Sequence, residues 1–136
     1  MFANFLLEKE KESFIKLLIY IAQSDGFLSD DEEKFIKRIA CEVGSKPFEK
    51  IETYSKKEIR QIAESFTSSI SKRVVLLEIV NLAYTDNLYL KKEKAAIEFV
   101  CDGLGIPTDK LEEVERWVHD GVVWAEEGLA IIKGDG

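Results

Sequence analysis

A helical period runs through nearly the whole of this 136-residue chain. Apolar residues recur at intervals of three and four, as in Ile36, Ile39 and Val43, and no segment of useful length alternates apolar and polar residues as a strand does. Eight glycines and two prolines leave room for long helices. The pattern predicts an all-α fold: one domain over residues 1–136, a compact bundle of six to seven helices, with a core over about residues 5–130 and a frayed end after it.

Capping residues predict where several helices begin and end. Ser29-x-x-Glu32 and Ser55-x-x-Glu58 are capping boxes, in which the hydroxyl and the carboxylate each accept an otherwise unpaired backbone amide. Helix ends are predicted where glycine can adopt a positive φ. The remaining predicted boundaries are a first helix starting as early as Asn4, a short helix over residues 47–53, a polar joint over 67–71, a helix over 74–84 and a last helix capped by Thr108.

The chain also repeats itself at an offset of 61 residues. The sequence Ala-Gln-Ser-Asp-Gly at 22–26 matches Ala-Tyr-Thr-Asp-Asn at 83–87, and a glutamate, Glu32 or Glu93, follows each aspartate by seven residues. Glycine and asparagine are the residues that best tolerate the positive φ of a helix end. The repeat therefore predicts two helix–turn–helix hairpins packed with approximate two-fold symmetry.

The repeated pattern Ala-x-x-Asp-Gly-x-Leu-Ser-x-x-Glu resembles the TerB-like family, which includes a tellurite-resistance protein and the N-terminal domain of a DnaJ-like membrane co-chaperone. The resemblance covers roughly residues 14–118. It implies an all-helical bundle acting in a bacterial stress-response or tellurite-resistance-type system. It also implies a divalent-metal site at Asp25, Glu32, Asp86 and Glu93.

Two interpretations of these acidic turns stay open. In the first, they are helix caps and need no ion. In the second, they bind Ca²⁺, Mg²⁺ or Mn²⁺, hard cations that prefer carboxylate oxygens, with Asp31 and Glu33 as additional ligands. A true EF-hand is excluded because Ile21 occupies its first ligand position. Lys91 and Lys92, beside Glu93, oppose a cation in the second copy.

Charge is unevenly distributed along the chain. The net charge is −7, which argues against nucleic-acid binding, and residues 102–136 hold three basic and nine acidic residues. Residues 46–73 hold seven basic and four acidic residues. These are either ordinary solvated helix faces or a docking surface, with Lys56, Lys57 and Arg60 as candidates for contacting an acidic protein or an anionic membrane.

Two tryptophans, Trp117 and Trp124, lie seven residues apart and so share one side of the last helix. Core packing is the first interpretation of this pair, and a partner-binding patch is the alternative. The single histidine, His119, is expected on the helix surface, and Cys41 and Cys101 are expected to be buried free thiols.

No catalytic motif is present, and the prediction is that the protein is not an enzyme. The amino terminus lacks the basic and apolar regions of a secretory signal, and the best apolar stretch, over residues 14–22, is far too short to span a bilayer. A cytoplasmic interaction module that contacts other proteins is therefore the leading hypothesis. A cation-binding or cation-sensing domain is the alternative.

Overall fold

The computed structural model describes residues 2–24, 26, 28–44, 52–84 and 91–134, and their regular structure is helical throughout. The helices in this part of the chain are α1 (Lys11–Ala22), α2 (Asp30–Glu42), α3 (Lys56–Glu64), α4 (Ser69–Ala83), α5 (Lys91–Leu104) and α6 (Thr108–Lys133). The predicted all-α bundle is confirmed.

Helices α1 and α4 form the centre of the bundle and pack against each other. Phe14, Leu17 and Leu18 of α1 are completely buried, as are Leu76 and Ile79 of α4. Both helices are apolar around most of their circumference, so other helices must cover them on several sides. The buried side chains of these and the other helices form one hydrophobic cluster.

The start of α1 differs from the prediction. Two short 3₁₀ turns, Ala3–Phe5 and Glu8–Glu10, precede α1, so the helix begins at Lys11 and not near Asn4. The buried carboxylate of Glu10 accepts the Leu7 amide at 2.8 Å and the Ser71 hydroxyl at 2.7 Å. These bonds hold an extended Leu7 and fasten the N-terminal segment to α4.

The two copies of the repeat have matching helix boundaries. α1 ends at Ala22 and α4 at Ala83, whereas α2 begins at Asp30 and α5 at Lys91. Each boundary pair is separated by the same offset that relates the sequences. Gly44 and Gly105, at matching positions after α2 and α5, have φ values of +71° and +76°. The predicted pair of helical hairpins is thus present along the chain.

The surroundings of the two hairpins are less alike. α5 packs against α1, α3, α4 and α6, and α2 packs against α1 and the first 3₁₀ turn. The α3–α5 contact is close: a Cβ built on Gly103 would lie 2.7 Å from the Cβ of Ala63. Glycine at 103 therefore allows α3 to lie directly on α5.

Several predicted boundaries need correction. α4 begins at Ser69, inside the predicted polar joint, because the Ser68 hydroxyl accepts the Ser71 amide and caps it. α6 begins at Thr108 itself, with Pro107 as its N-cap residue. Most of the predicted helix over 47–53 lies outside the described residues, and positions 52–55 are not helical.

The last helix, α6, is continuous through Gly121 and Gly128 to Lys133. Its buried residues are Leu111, Val114 and Val118, all in its first half. Within α6, the buried core therefore ends at Val118, because α4 and α5 cover only that half. Among the described residues, no helix has both the length and the apolar composition needed to cross a membrane.

Candidate functional site

The first acidic turn is built as a helix cap. The Ser29 hydroxyl accepts the Glu32 amide at 3.1 Å, and the Glu32 carboxylate accepts the Ser29 amide at the same distance. Glu32 is buried, so its charge depends on such bonds for compensation. The predicted capping box is confirmed, as is the exposed one formed by Ser55 and Glu58.

The proposed cation ligands are only partly described. Asp25 and Asp86 lie outside the described residues, and Glu93 is buried at the third position of α5, the counterpart of Glu32 in α2. Asp31 is exposed, and Glu33 forms an ion pair with Lys37 at 2.9 Å. Within the described ranges, no three histidine, cysteine or acidic side chains form a group that could hold a metal. The divalent-cation site stays a prediction.

The predicted basic residues at α3 have different environments. Lys56 and Lys57 are exposed in the first turn of α3, and the Lys56 ammonium lies 5.6 Å from the centre of the Phe99 ring. Arg60 instead forms ion pairs with Asp102 of α5 and with Glu64, the latter at 2.8 Å. Hydrogen bonds to Asp102 and then Glu64 raise the pKa of Arg60. Arg60 therefore connects α3 to α5, which leaves Lys56 and Lys57 as the accessible cations of this candidate surface.

The structure overturns the core-packing interpretation of the two tryptophans. Trp117 is 50% exposed and Trp124 is 76% exposed. Trp117 touches the body of the protein on one side, where the Phe2 ring lies 6.2 Å from it. Trp124 lies a further two turns along α6, beyond the part that α4 and α5 cover. The alternative, a partner-binding patch, stays a prediction.

Trp124 belongs to a larger exposed apolar surface. From 119 to 133 every residue of α6 is exposed, except Val122 and Gly128, which are half-buried. Helical spacing places the large apolar side chains of this half mostly on one side of the helix. We call this surface the α6 face; it consists of Trp117, Gly121, Trp124, Gly128, Leu129, Ile131 and Ile132.

A groove between α4 and α6 adjoins the α6 face at Trp117. The α4–α6 groove has a volume of about 340 Å³ and is lined by Arg73, Leu76, Leu77, Lys110, Glu113, Val114 and Trp117. A shallower recess beside it shares Arg73 and Leu77 and adds the exposed Phe5 and Ile70. The apolar surface thus continues from the bundle onto the exposed half of α6.

The electrostatic surroundings of the α4–α6 groove are basic. Lys110 donates a hydrogen bond to Glu113 at 2.8 Å, and this bond is the main reason that the pKa of Glu113 is lowered. Arg116 and Arg73 lower that pKa further through their charges. Three cations therefore surround a single carboxylate. The exposed half of α6 has the opposite character, with Asp120, Glu126 and Glu127 against Lys133.

The single histidine and the two cysteines differ in exposure. His119 is exposed as predicted, and its ring lies 6.4 Å from that of Tyr84. Cys101 is buried, which raises the pKa of its thiol to about 12 and keeps it protonated. Cys41 is exposed, contrary to the prediction, because its position on α2 faces away from α1.

The sequence did not predict the α4–α6 groove. For the two tryptophans, it favoured core packing over an exposed partner-binding patch. One signal was available: Trp117, Trp124 and Ile131 are spaced by seven, and Gly121 and Gly128 have the same spacing between them. A core helix of a small bundle seldom needs two tryptophans and two glycines on one side. Comparisons with protein-family models, curated proteins and solved structures find no match for this chain.

Proposed function

We propose that this protein is a non-enzymatic interaction module that binds other proteins through the α6 face. The observation that carries this proposal is the exposure of Trp124, Ile131 and Ile132, at 76%, 81% and 81%, on one half-helix. Exposed apolar surface of this kind is costly in water and is typical of contact sites. Tryptophan in particular contributes strongly to binding energy when a partner covers it.

The finer parts of the proposal come from the TerB-like resemblance. It supports a cytoplasmic role in a bacterial stress-response or tellurite-resistance-type system. The exposed Lys56 and Lys57 form a second candidate surface, suited to an acidic protein or an anionic membrane. The cation-binding alternative depends on Asp25 and Asp86.

A pull-down from a lysate of the source cells tests the proposal. Trp124→Ala removes a large exposed side chain without touching the core, and Leu7→Ala removes another exposed apolar side chain outside the α6 face. We expect proteins retained by the wild type to be lost with Trp124→Ala and kept with Leu7→Ala. Equal retention by all three chains would contradict the proposal.

One further variant, with two substitutions, separates the two candidate surfaces. Lys56→Glu/Lys57→Glu reverses the exposed charge at α3 and leaves α6 unchanged. If the α6 face carries the interaction, this variant retains the same proteins as the wild type. Loss with the lysine variant alone would move the function to the basic surface.

A further inference from the structure

We propose that the α6 face binds a second copy of this chain, through an antiparallel pair of α6 helices that cross at Gly121. This inference rests on the proposed interaction function and names the partner of the same surface. Each chain has both of the surfaces that such a contact would join. An apolar half-helix with acidic residues continues directly into an apolar groove surrounded by Arg73, Lys110 and Arg116.

Two-fold symmetry makes this arrangement self-complementary. When two α6 helices cross at Gly121 in opposite directions, the exposed half of each lies along the groove half of the other. Trp124 of one copy then lies beside Trp117 of the other. Both exposed tryptophans, and the apolar residues after them, leave water in one contact.

One pair of opposite charges fits this register. Arg116 and Glu127 are eleven residues, or about three turns, apart and therefore lie along one edge of the α6 face. In an antiparallel pair the same edges of the two helices meet. A crossing at Gly121 brings Glu127 of one copy beside Arg116 of the other, twice by symmetry.

Glycine at the crossing point permits close approach. In the described part of the chain, no atom lies within 4 Å of a Cβ built on Gly121, so the surface there is open. The second glycine of the α6 face, Gly128, would lie near Val114 of the other copy. The helices would overlap over residues 109–133, roughly 36 Å at 1.5 Å per residue. The groove residues of α4, Arg73, Leu76 and Leu77, would add to this contact.

Sedimentation equilibrium tests the inference on the wild-type chain, from about 1 μM to about 1 mM. We expect a reversible monomer–dimer equilibrium, the dimer having twice the 15.5 kDa mass of one chain. Trp124→Ala should abolish dimer formation over this range, and Leu7→Ala should not change it. Because Trp124 is exposed, circular dichroism should show an unchanged fold for the variant.

A charge-exchange experiment tests the register. Arg116→Glu and Glu127→Arg each place like charges together twice in the homodimer, and each should weaken it about tenfold. When the two variant chains are mixed, both contacts become attractive, and a heterodimer should form with about the wild-type affinity. Mixing that gives no heterodimer overturns the Gly121 crossing.

The results separate this inference from the proposed function. A wild-type chain that stays monomeric, or a dimer that persists with Trp124→Ala, overturns the second copy as partner. If that monomer still retains cellular proteins through Trp124, the interaction function stands. If it binds vesicles of phosphatidylcholine and phosphatidylserine through Trp124, a membrane replaces the second copy. A wild-type dimer without Trp124-dependent cellular partners supports the inference and restricts the interaction function of the α6 face to copies of this chain.

Discussion

The two halves of α6 continue one apolar side of the same helix but have opposite environments. Leu111 and Leu129 lie 18 residues apart, five full turns, and therefore point to the same side of the helix. Leu111 is 2% exposed and Leu129 is 53% exposed. The helical spacing of the apolar residues thus indicates which side of a helix is apolar. Whether that side is buried depends on how far the neighbouring helices reach, and α4 and α5 reach only the first half.

Truncating the two leucines should give the largest difference between the halves. Leu111→Ala leaves a cavity in the core and should lower the free energy of unfolding by about 2–5 kcal/mol. Leu129→Ala removes an exposed side chain and should change it by less than about 0.5 kcal/mol. Urea denaturation at low micromolar protein concentration measures both values without a contribution from association.

The same substitution at two distant sites is the control for this prediction. Both variants lose the same atoms from the same residue type in one helix, so differences in helix propensity cancel. Equal losses of stability would mean that the second half of α6 is covered in solution.

Glycine substitutions compare a closely packed helix contact with the exposed half of α6. Gly103→Ala would force α3 away from α5, since the new Cβ would lie 2.7 Å from that of Ala63, and we expect a loss of about 1–3 kcal/mol. Gly128→Ala meets no described atom within 4 Å and should stabilise its half of α6 by up to about 1 kcal/mol. Urea denaturation measures the first change, and amide hydrogen exchange over 124–133 measures the second. Stabilisation by Gly103→Ala would show that α3 and α5 are not in close contact.

The cysteines show the same contrast between covered and exposed positions. Cys41 is exposed on α2, whereas burial raises the pKa of the Cys101 thiol to about 12. Thiolate is the reactive species, so Cys41 should react with a disulfide reagent at least about tenfold faster than Cys101 at pH 8. Cys41→Ser should remove the fast phase, and Cys101→Ser should leave it. Two fast thiols in the folded wild type would contradict the burial of Cys101.

Divalent cations should have the smallest effect. The Glu32 carboxylate already accepts the Ser29 amide, so ion binding at this turn would compete with the helix cap. We expect Ca²⁺, Mg²⁺ or Mn²⁺ to shift the Tm by less than about 1 °C relative to EDTA. A rise of several degrees that Asp25→Asn/Asp86→Asn abolishes would instead establish the cation-binding alternative.

Interactions between residues close in the sequence were enough to predict most of the helices and the Ser29–Glu32 capping box. The capping pair Ser29 and Glu32 needs only residues three apart, and the positive φ of Gly44 and Gly105 depends on the chain beside them. The position of Arg60 was not predictable in this way. Its partner Asp102 lies 42 residues away, and only the packing of α3 on α5 brings the two side chains together.

The all-helical fold, the two capping boxes and the repeat follow from the sequence, because they depend on interactions between residues a few positions apart. Tertiary structure decided which apolar residues are buried, since burial depends on the ends of other helices. Leu129 lies on the same side of α6 as Leu111, yet only Leu111 is buried. The exposed half of α6, and with it the proposed function, became visible only once the bundle was assembled.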